Sequence, residues 1–195
     1  MKHSLKNRAI MFGLVFLSLV LMGTGFAMLH TYQPKTPIDF HLQDHHGRDI
    51  SAESLSNKTL LVFFGFTYCS KICPTQMVTL SAVIDRLDAM GYAEDLIPIF
   101  ITIDPERDTH ARISEYLSNF HERFIGLTGS DLALREAASS FRIVMEQAYS
   151  EDDAKIEISH SSVAYLVGPD SDLLGYVPAE ATIENAVYLI GELLN

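Results

Sequence analysis

Two cysteines and the proline that follows them form the part of the sequence best suited to chemistry. Cys69 and Cys73 lie in the stretch FGFTYCSKICPTQM, between a continuous apolar run and a helix-like segment. Because proline is tolerated in the first turn of a helix and not in its interior, Pro74 places the start of a helix near Cys73. The unpaired N–H groups and partial positive charge at a helix N-terminus stabilise a thiolate and lower the pKa of a cysteine held there.

The spacing of the two cysteines is compatible with more than one use. In a turn their Cα atoms could lie about 5–6 Å apart, which is within the range of a disulfide, and a structural disulfide in an exported protein stays open. The same closeness would let both sulfurs bind one ion, and soft thiolates select Cu(I), zinc or iron–sulfur clusters. Two cysteines alone do not complete a zinc or cluster site. A third ligand from the eight histidines or seven methionines would make a trigonal site that suits Cu(I).

His160 is the candidate for that third ligand. It lies in IEISHSSVAYLVGPD, directly before a predicted strand, and in thioredoxin-like folds the loop before this strand passes beside the cysteine turn. A lone histidine is more often a structural or surface residue, so its position alone leaves both roles open. For Asp104, which follows a buried strand, a turn at the strand exit is favoured over metal ligation. His45 and His46 are adjacent in a predicted turn, where we expect them to be solvated.

The elements that position these residues can be predicted from the pattern of apolar residues. The predicted elements are a hairpin over 39–51, buried strands over 60–66 and 96–103, a helix over 74–90 with Met77, Leu80, Ile84 and Leu87 as its apolar stripe, helices over 109–120 and 131–141 capped by Asp108 and Ser130, a strand over 143–149, an acidic loop over 150–155, a closing hairpin over 163–177 and a last helix over 183–194. Strands that alternate with helices and end in a hairpin imply an α/β sandwich with a mixed sheet.

The N-terminal segment is chemically separate from the rest of the chain. Residues 1–8 carry three of the 14 basic residues and no acid, so 11 basic residues face all 25 acidic ones downstream, and that remainder has formal charge −14. Residues 9–29 are uncharged and as a helix would extend about 31 Å, close to the roughly 30 Å hydrocarbon core of a bilayer. The positive-inside rule predicts a cytoplasmic N-terminus, and a run longer than the roughly 7–15 residues of a signal-peptide core favours an uncleaved single-pass anchor. A signal peptide cut near Gly25-Phe26-Ala27 is the alternative.

Length and composition limit the remaining possibilities. The 195 residues allow one folded domain, and we divide the chain into a basic tail (1–8), an anchor or uncleaved signal (9–29), a linker (30–36) and a domain (37–195). Two cysteines are too few for a disulfide scaffold. The acidic balance argues against nucleic acid as the main partner, because phosphate binding needs clustered Lys and Arg.

Five stretches resemble the Sco (SenC) family of copper chaperones for cytochrome c oxidase assembly. FGFTYCSKICP resembles the Cys-x-x-x-Cys-Pro motif of that family, and IFITIDPERDT at residues 99–109 resembles its second signature. FIGLTGS and FRIVMEQ follow in the expected order, and SHSSVAYLVGPDSDLLGY resembles the segment that holds the distal histidine. The resemblance covers about residues 37–195 and includes the single N-terminal anchor. One departure is Ser159, since the family commonly has Asp before the histidine and that carboxylate could orient the imidazole.

The resemblance implies a thioredoxin-like fold and a copper site, for Cu(I) or Cu(II), formed by Cys69, Cys73 and His160. It also implies delivery of copper to the binuclear copper site of cytochrome c oxidase subunit II, or reduction of the cysteines of that client by the redox-active pair. Further partners would be other periplasmic copper chaperones or thiol reductases. The folded domain would face the periplasm or cell exterior from a bacterial inner membrane.

Three hypotheses for the function follow. The first is a copper metallochaperone, which is a binding protein and not an enzyme. The second is a membrane-tethered thiol–disulfide oxidoreductase that uses the same cysteine pair. The third is a thioredoxin-like peroxidase, for which the absence of tryptophan excludes any mechanism that needs a Trp beside the thiol.

Overall fold

Strands and helices alternate along the chain in the computed structural model, which describes residues 37–92, 94–143, 146–148, 157–159 and 163–194. In chain order the elements are β1 (His41–Asp44), β2 (Asp49–Ser51), a 3-10 helix (Glu53–Leu55), β3 (Thr59–Gly65), α1 (Ile72–Ala89), β4 (Leu96–Thr102), α2 (His110–Leu117), β5 (Ile125–Thr128), α3 (Asp131–Ser140), β6 (Glu146–Ala148), β7 (Glu157–Ser159), β8 (Ala164–Val167), β9 (Leu173–Val177) and α4 (Ile183–Leu194). The predicted tail, anchor and linker lie outside the described residues. Within the described ranges, no helix combines the length and the apolar character needed to cross a bilayer.

Seven strands form one mixed sheet in the order β2-β1-β5-β4-β3-β8-β9. β4 runs parallel to β3 and to β5, whereas β8 runs antiparallel to β3. Every residue of β3 is buried, as its continuous apolar sequence predicts for a strand covered on both faces. The central mixed sheet flanked by helices confirms the predicted fold class.

The two faces of the sheet contact two separate apolar cores. Side chains of a strand alternate between faces, so Phe63 and Phe100 pack with α1, α2 and α4, while Val62, Phe64 and Ile101 pack with α3 on the other face. The first of these cores also contains Cys73. One face of the sheet therefore supports the buried cysteine.

α1 begins and ends close to the predicted positions. It starts at Ile72, with Pro74 in the first turn, and stops at Ala89 before Gly91, whose φ of +99° lies in the region that glycine tolerates best. All four residues of the predicted stripe are fully buried: Met77, Leu80, Ile84 and Leu87. The helix thus presents one apolar side to the sheet and fixes its first turn at the end of β3.

The two middle helices differ in how well the sequence predicts their caps. Ser130 caps α3 as predicted, and its Oγ accepts a hydrogen bond from Ala133 N at 3.2 Å. The predicted cap of α2 is wrong: Thr109, not Asp108, accepts from Arg112 N at 3.2 Å, and α2 ends at Leu117, three residues early. The carboxylate of Asp108 is instead committed to contacts elsewhere in the fold, described below.

Both predicted hairpins form. One histidine of the first hairpin and the strand predicted between the two hairpins depart from expectation. Gly47 turns β1 into β2 with φ of +81°. His45 is not simply solvated: it is half-buried and its Nδ1 accepts from Gly126 N at 3.1 Å, whereas His46 is exposed. Within the strand predicted over 143–149, the described residues 146–148 form β6, which pairs with β7 in a separate two-stranded sheet. The predicted acidic loop over 150–155 lies outside the described residues.

Candidate metal and thiol site

The connection between β3 and α1 places the two cysteines side by side. Cys73 lies in the first turn of α1, and its backbone N–H donates to the Sγ of Cys69 at 3.3 Å. The formal N-cap residue, Lys71, makes no side-chain capping bond, so the sulfur of Cys69 takes over that role. Both cysteines are free thiols in this structure. The predicted helix start thus brings the two sulfurs into one site.

Gly65 at the end of β3 allows the close packing around the buried sulfur. A Cβ at this position would lie 3.2 Å from the Sγ of Cys73 and 2.9 Å from Cε2 of Phe100. The approach to Phe100 is closer than real Cβ atoms come to other atoms, and the approach to Cys73 is tighter than most such contacts. A side chain at this position would therefore have to displace the aromatic ring or the sulfur, and glycine avoids that cost.

Cys69 carries the more reactive of the two sulfurs. Its partial burial raises the thiol pKa, but hydrogen bonds from the Cys73 N–H and thiol and from the backbone of Lys71 and Ile72 outweigh that and hold the pKa below its ordinary value. The residue is only half-buried. Cys69 therefore combines thiolate character with access to solvent, as a nucleophile or an ion-capturing ligand requires.

Cys73 behaves in the opposite way. Its side chain is fully buried, and burial together with the neighbouring Cys69 raises its pKa to about 12 despite a hydrogen bond from the backbone of Phe66. The prediction that the helix N-terminus lowers a cysteine pKa is thus correct for Cys69 and wrong for Cys73. The reason is desolvation, which outweighs the helix terminus at the fully buried sulfur.

The sequence pattern predicts Asp108 as a helix cap, but in the structure it is a structural residue of the site. It is 1% exposed and accepts hydrogen bonds from Thr67 N at 3.0 Å, Thr67 Oγ1 at 2.6 Å and Thr102 Oγ1 at 2.6 Å. Thr67 begins the cysteine loop and Thr102 ends β4. Asp108 therefore ties the loop that carries Cys69 to the neighbouring strand.

Asp104 has a structural role at the exit of β4, as predicted from the sequence in preference to metal ligation. It is 3% exposed and forms an ion pair with Arg107, whose Nη2 lies 2.5 Å from Oδ2. Its backbone N–H donates to Oγ1 of Thr102 at 3.0 Å. The carboxylate therefore stabilises the turn that leaves β4.

Tyr68, next to Cys69, is held between two guanidinium groups. The Cζ atoms of Arg107 and Arg112 lie 5.1 Å and 5.0 Å from the centre of its ring, which is the distance of a cation–π contact. Arg112 also donates from Nε to Oγ1 of Thr67 at 3.2 Å. Although the ring is 53% exposed, it is therefore fixed in place. No pattern in the sequence identifies this arrangement, which becomes visible only from the contacts in the structure.

The site therefore contains two of the three predicted ligands, and the third falls outside what the structure describes. Two adjacent cysteine sulfurs fit a soft monovalent ion such as Cu(I). In the described part of the chain, no group of three or more His, Cys, Asp or Glu side chains is placed to hold a metal. His160 lies outside the described residues, in the connection between β7 and β8.

Comparison with known proteins gives a consistent family. A model of the SCO1/SenC family matches residues 30–195. The chain is 37% identical over 138 residues to the mitochondrial SCO2 homologue of Danio rerio, covering 71% of this chain and 50% of that protein. It thus spans about half the length of that curated relative.

Solved structures of the same family share the fold. Yeast Sco1 with copper bound is 30% identical, with a TM-score of 0.74 over 82% of this chain and 88% of that one. BsSco, described as a member of the Sco family of cytochrome c oxidase assembly proteins with a disulfide switch, is 26% identical, with a TM-score of 0.66 over 82% of this chain and 92% of that one. The cysteine site lies within the matched residues, and the chain belongs to the SCO1/SenC family.

Proposed function

We propose that this protein is a copper metallochaperone that carries a copper ion on Cys69, Cys73 and His160 and delivers it to the binuclear copper site of cytochrome c oxidase subunit II. The observation that carries the proposal is the pair of free cysteines at the start of α1, joined by a hydrogen bond of 3.3 Å from Cys73 N to Cys69 Sγ. Copper-bound structures of similar proteins and the oxidase-assembly role named for BsSco support it.

The sheet supports the inclusion of His160. Ala164, four residues further along the chain, opens β8 and pairs with Phe63 of β3. β8 therefore begins at the edge of the sheet where β3 ends and the cysteine loop departs. Only four positions of sequence separate His160 from Ala164 at this edge, and this short connection supports His160 as the third ligand.

The two sulfurs divide the work of taking up the ion. Cys69 is half-buried and has the lowered pKa, so it supplies the first thiolate to an incoming ion. Cys73 keeps its proton until the ion arrives, because a buried thiolate without a positive partner is costly. Copper bound to Cys69 provides that positive partner, and Cys73 then releases its proton and completes the pair.

A second function is favoured by the same asymmetry. A thiol–disulfide oxidoreductase needs an accessible thiolate and a buried resolving thiol. The Cys69 thiolate would attack a client disulfide, forming a mixed disulfide and releasing one client thiolate. Cys73 would then lose its proton and attack Cys69, releasing the second client thiolate and leaving a Cys69–Cys73 disulfide. Two electrons pass to the client, and the disulfide switch named for BsSco supports this alternative.

We further propose that residues 9–29 anchor the chain in a bacterial inner membrane, with the tail at 1–8 in the cytoplasm and the domain at 37–195 in the periplasm or cell exterior. The length, lack of charge and basic flank of the segment support this topology. The partners would be oxidase subunit II and other periplasmic copper chaperones or thiol reductases.

Anaerobic titration of the reduced full-length protein with Cu(I) tests the main proposal. We expect one copper ion per chain and at least about tenfold weaker binding in His160→Ala, because a ligand is lost. His46→Ala is the matched control, since His46 is an exposed histidine of the β1–β2 turn. Equal affinity of His160→Ala and wild type would refute the three-ligand site. Copper-free reduction of a client disulfide that persists in His160→Ala would favour the oxidoreductase.

A further inference from the structure

Two large apolar side chains next to Cys69 extend into solvent. Tyr68 is 53% exposed and Ile72 is 52% exposed, whereas Cys73, next to Ile72, is fully buried. Tyr68 directly precedes Cys69 in the chain, and the backbone of Ile72 forms a hydrogen bond with the Cys69 sulfur. Exposed apolar area that gathers at one place on a protein marks a contact surface. The two side chains therefore need an explanation beyond the packing of the fold.

The fold holds the ring of Tyr68 outward and immobilises it. The guanidinium groups of Arg107 and Arg112 lie 5.1 Å and 5.0 Å from the ring centre. Arg107 is itself fixed by its ion pair with Asp104 at 2.5 Å, and Nε of Arg112 donates to the buried Thr67 at 3.2 Å. Because the ring is fixed before a partner arrives, covering it costs little side-chain entropy. Tyrosine is also one of the residue types that contribute most to binding at protein interfaces.

The charges around the ring largely offset one another. The two arginines that hold it are ion-paired with Asp104 and Glu115, at 2.5 Å and 3.1 Å. In the adjoining loops, Lys71 adds one exposed positive charge and Glu106 adds one exposed negative charge. This surface therefore offers apolar area in a nearly neutral setting, and the partner chemistry that fits it is an apolar patch rather than a strongly charged one.

A client that takes copper from Cys69 must cover this surface. Transfer of Cu(I) is a ligand exchange, in which a client thiolate bonds to the ion before the ion leaves Cys69. Copper keeps its oxidation state, and the protons that the client thiols release pass to the two freed sulfurs. A client sulfur that shares an ion with Cys69 brings its own surface against the neighbouring residues, which include Tyr68 and Ile72.

We propose that Tyr68 and Ile72 form the docking surface for the client and pack against an apolar patch beside its copper-site cysteines. This inference rests on the proposed delivery of copper and adds to it the chemistry of the partner surface. The fixed ring is the anchor of the contact, and it holds the client sulfur near Cys69 while the ligands exchange. Docking thus increases the rate of transfer without adding to the affinity for copper.

Transfer of Cu(I) from the full-length protein to two different acceptors separates docking from metal binding. One acceptor is the reduced, copper-free soluble domain of oxidase subunit II, and the other is the small chelator bathocuproine disulfonate, which needs no protein surface. In Tyr68→Ala we expect about tenfold slower transfer to the domain, because an aromatic anchor is lost. Its transfer to the chelator should be no slower than in wild type, and its Cu(I) affinity should be unchanged.

Three further variants sharpen the comparison. Tyr68→Phe keeps the ring and should transfer copper to the domain at the wild-type rate. Ile72→Ala should slow this transfer by about threefold, because less apolar area is lost. The matched control is Tyr188→Ala on α4, where the native residue is 65% exposed, and its rates should equal those of wild type with both acceptors.

Four results would overturn the proposal. Unchanged transfer to the domain in Tyr68→Ala would remove the docking role while leaving the copper function intact. Equal slowing with both acceptors would show that the ring acts on the metal site itself. A wild-type rate that falls at least about tenfold between about 0.05 M and about 0.5 M salt would show docking by charge instead of by apolar contact. A wild-type protein that binds copper but does not transfer it to the domain would refute the client of the proposed function, and this inference with it.

Discussion

The two cysteines should differ in chemical reactivity by orders of magnitude, and this difference follows from their positions. Cys73→Ser leaves the half-buried Cys69 as the single thiol, whereas Cys69→Ser leaves the fully buried Cys73. An alkylating reagent reacts with the thiolate, so the rate depends on the fraction of each thiol that is ionised and on its access to solvent.

The size of the effect can be worked from the pKa of Cys73. A rise from the ordinary 9.0 to about 12 lowers the thiolate fraction at pH 8 about a thousandfold. Part of that rise comes from Cys69, which the Cys69→Ser variant removes, so we expect a reduction of at least about a hundredfold in this variant. The lowered pKa and the exposure of Cys69 further increase the ratio of the Cys69 alkylation rate to the Cys73 alkylation rate.

The assay is alkylation by iodoacetamide under anaerobic conditions, followed by mass spectrometry between pH 7 and pH 9. The rate for Cys69 should level off first, while that for Cys73 should rise about tenfold per pH unit throughout. Unfolding both variants in denaturant is the control, since the two rates should then be similar. Native rates within about tenfold of each other would refute the assignment of separate roles.

Three further predictions concern the surroundings of the site and the stability of the domain. Gly65→Ala should lower the free energy of unfolding in urea by about 1–3 kcal/mol, because the new Cβ would lie 2.9 Å from Cε2 of Phe100 and 3.2 Å from the Sγ of Cys73; an unchanged value would contradict the tight packing. Asp108→Ala should cost about 3 kcal/mol by leaving three donors without an acceptor. Asp108→Asn keeps one oxygen acceptor and should lose less of the free energy of unfolding than Asp108→Ala; equal losses in both variants would contradict this. Burial raises the pKa of Asp44, but hydrogen bonds from Arg48 outweigh that effect and bring the pKa to about 2. About 1–2 kcal/mol of stability that is present above pH 5 should therefore be lost as the pH falls towards 2. In acid titrations, Asp44→Asn should abolish this contribution to the pH dependence.

The frame of the site could be predicted from the sequence because local patterns determine it. A continuous apolar run specifies β3, and a stripe at helical spacing with Pro74 specifies α1 and its start. The position of both cysteines follows from these two elements alone. The resemblance of five stretches then indicated the family, which comparison with known proteins confirmed.

Features that depend on tertiary contacts could not be predicted in this way. β5 has four residues and no pattern of its own, and it is a strand because β4 and β1 pair with it. Asp108 and Thr109 are both suitable caps by residue type, and the choice is made by Thr67, 41 residues away from Asp108 in the sequence. Likewise, the pKa of Cys73 depends on how deeply the core encloses it, which the residue spacing does not reveal.

The sulfur that caps α1 makes the first turn of the helix sensitive to the oxidation state of the protein. A thiolate accepts the Cys73 N–H strongly, whereas a disulfide sulfur carries no charge and accepts it weakly. Closing a Cys69–Cys73 disulfide therefore removes the cap, while binding a metal ion leaves much of the negative charge in place. The amide hydrogens at the start of α1 should exchange faster with solvent in the oxidised protein than in either reduced form. The backbone next to the site should therefore differ between the disulfide form of the protein and the two reduced forms, with and without a bound metal ion.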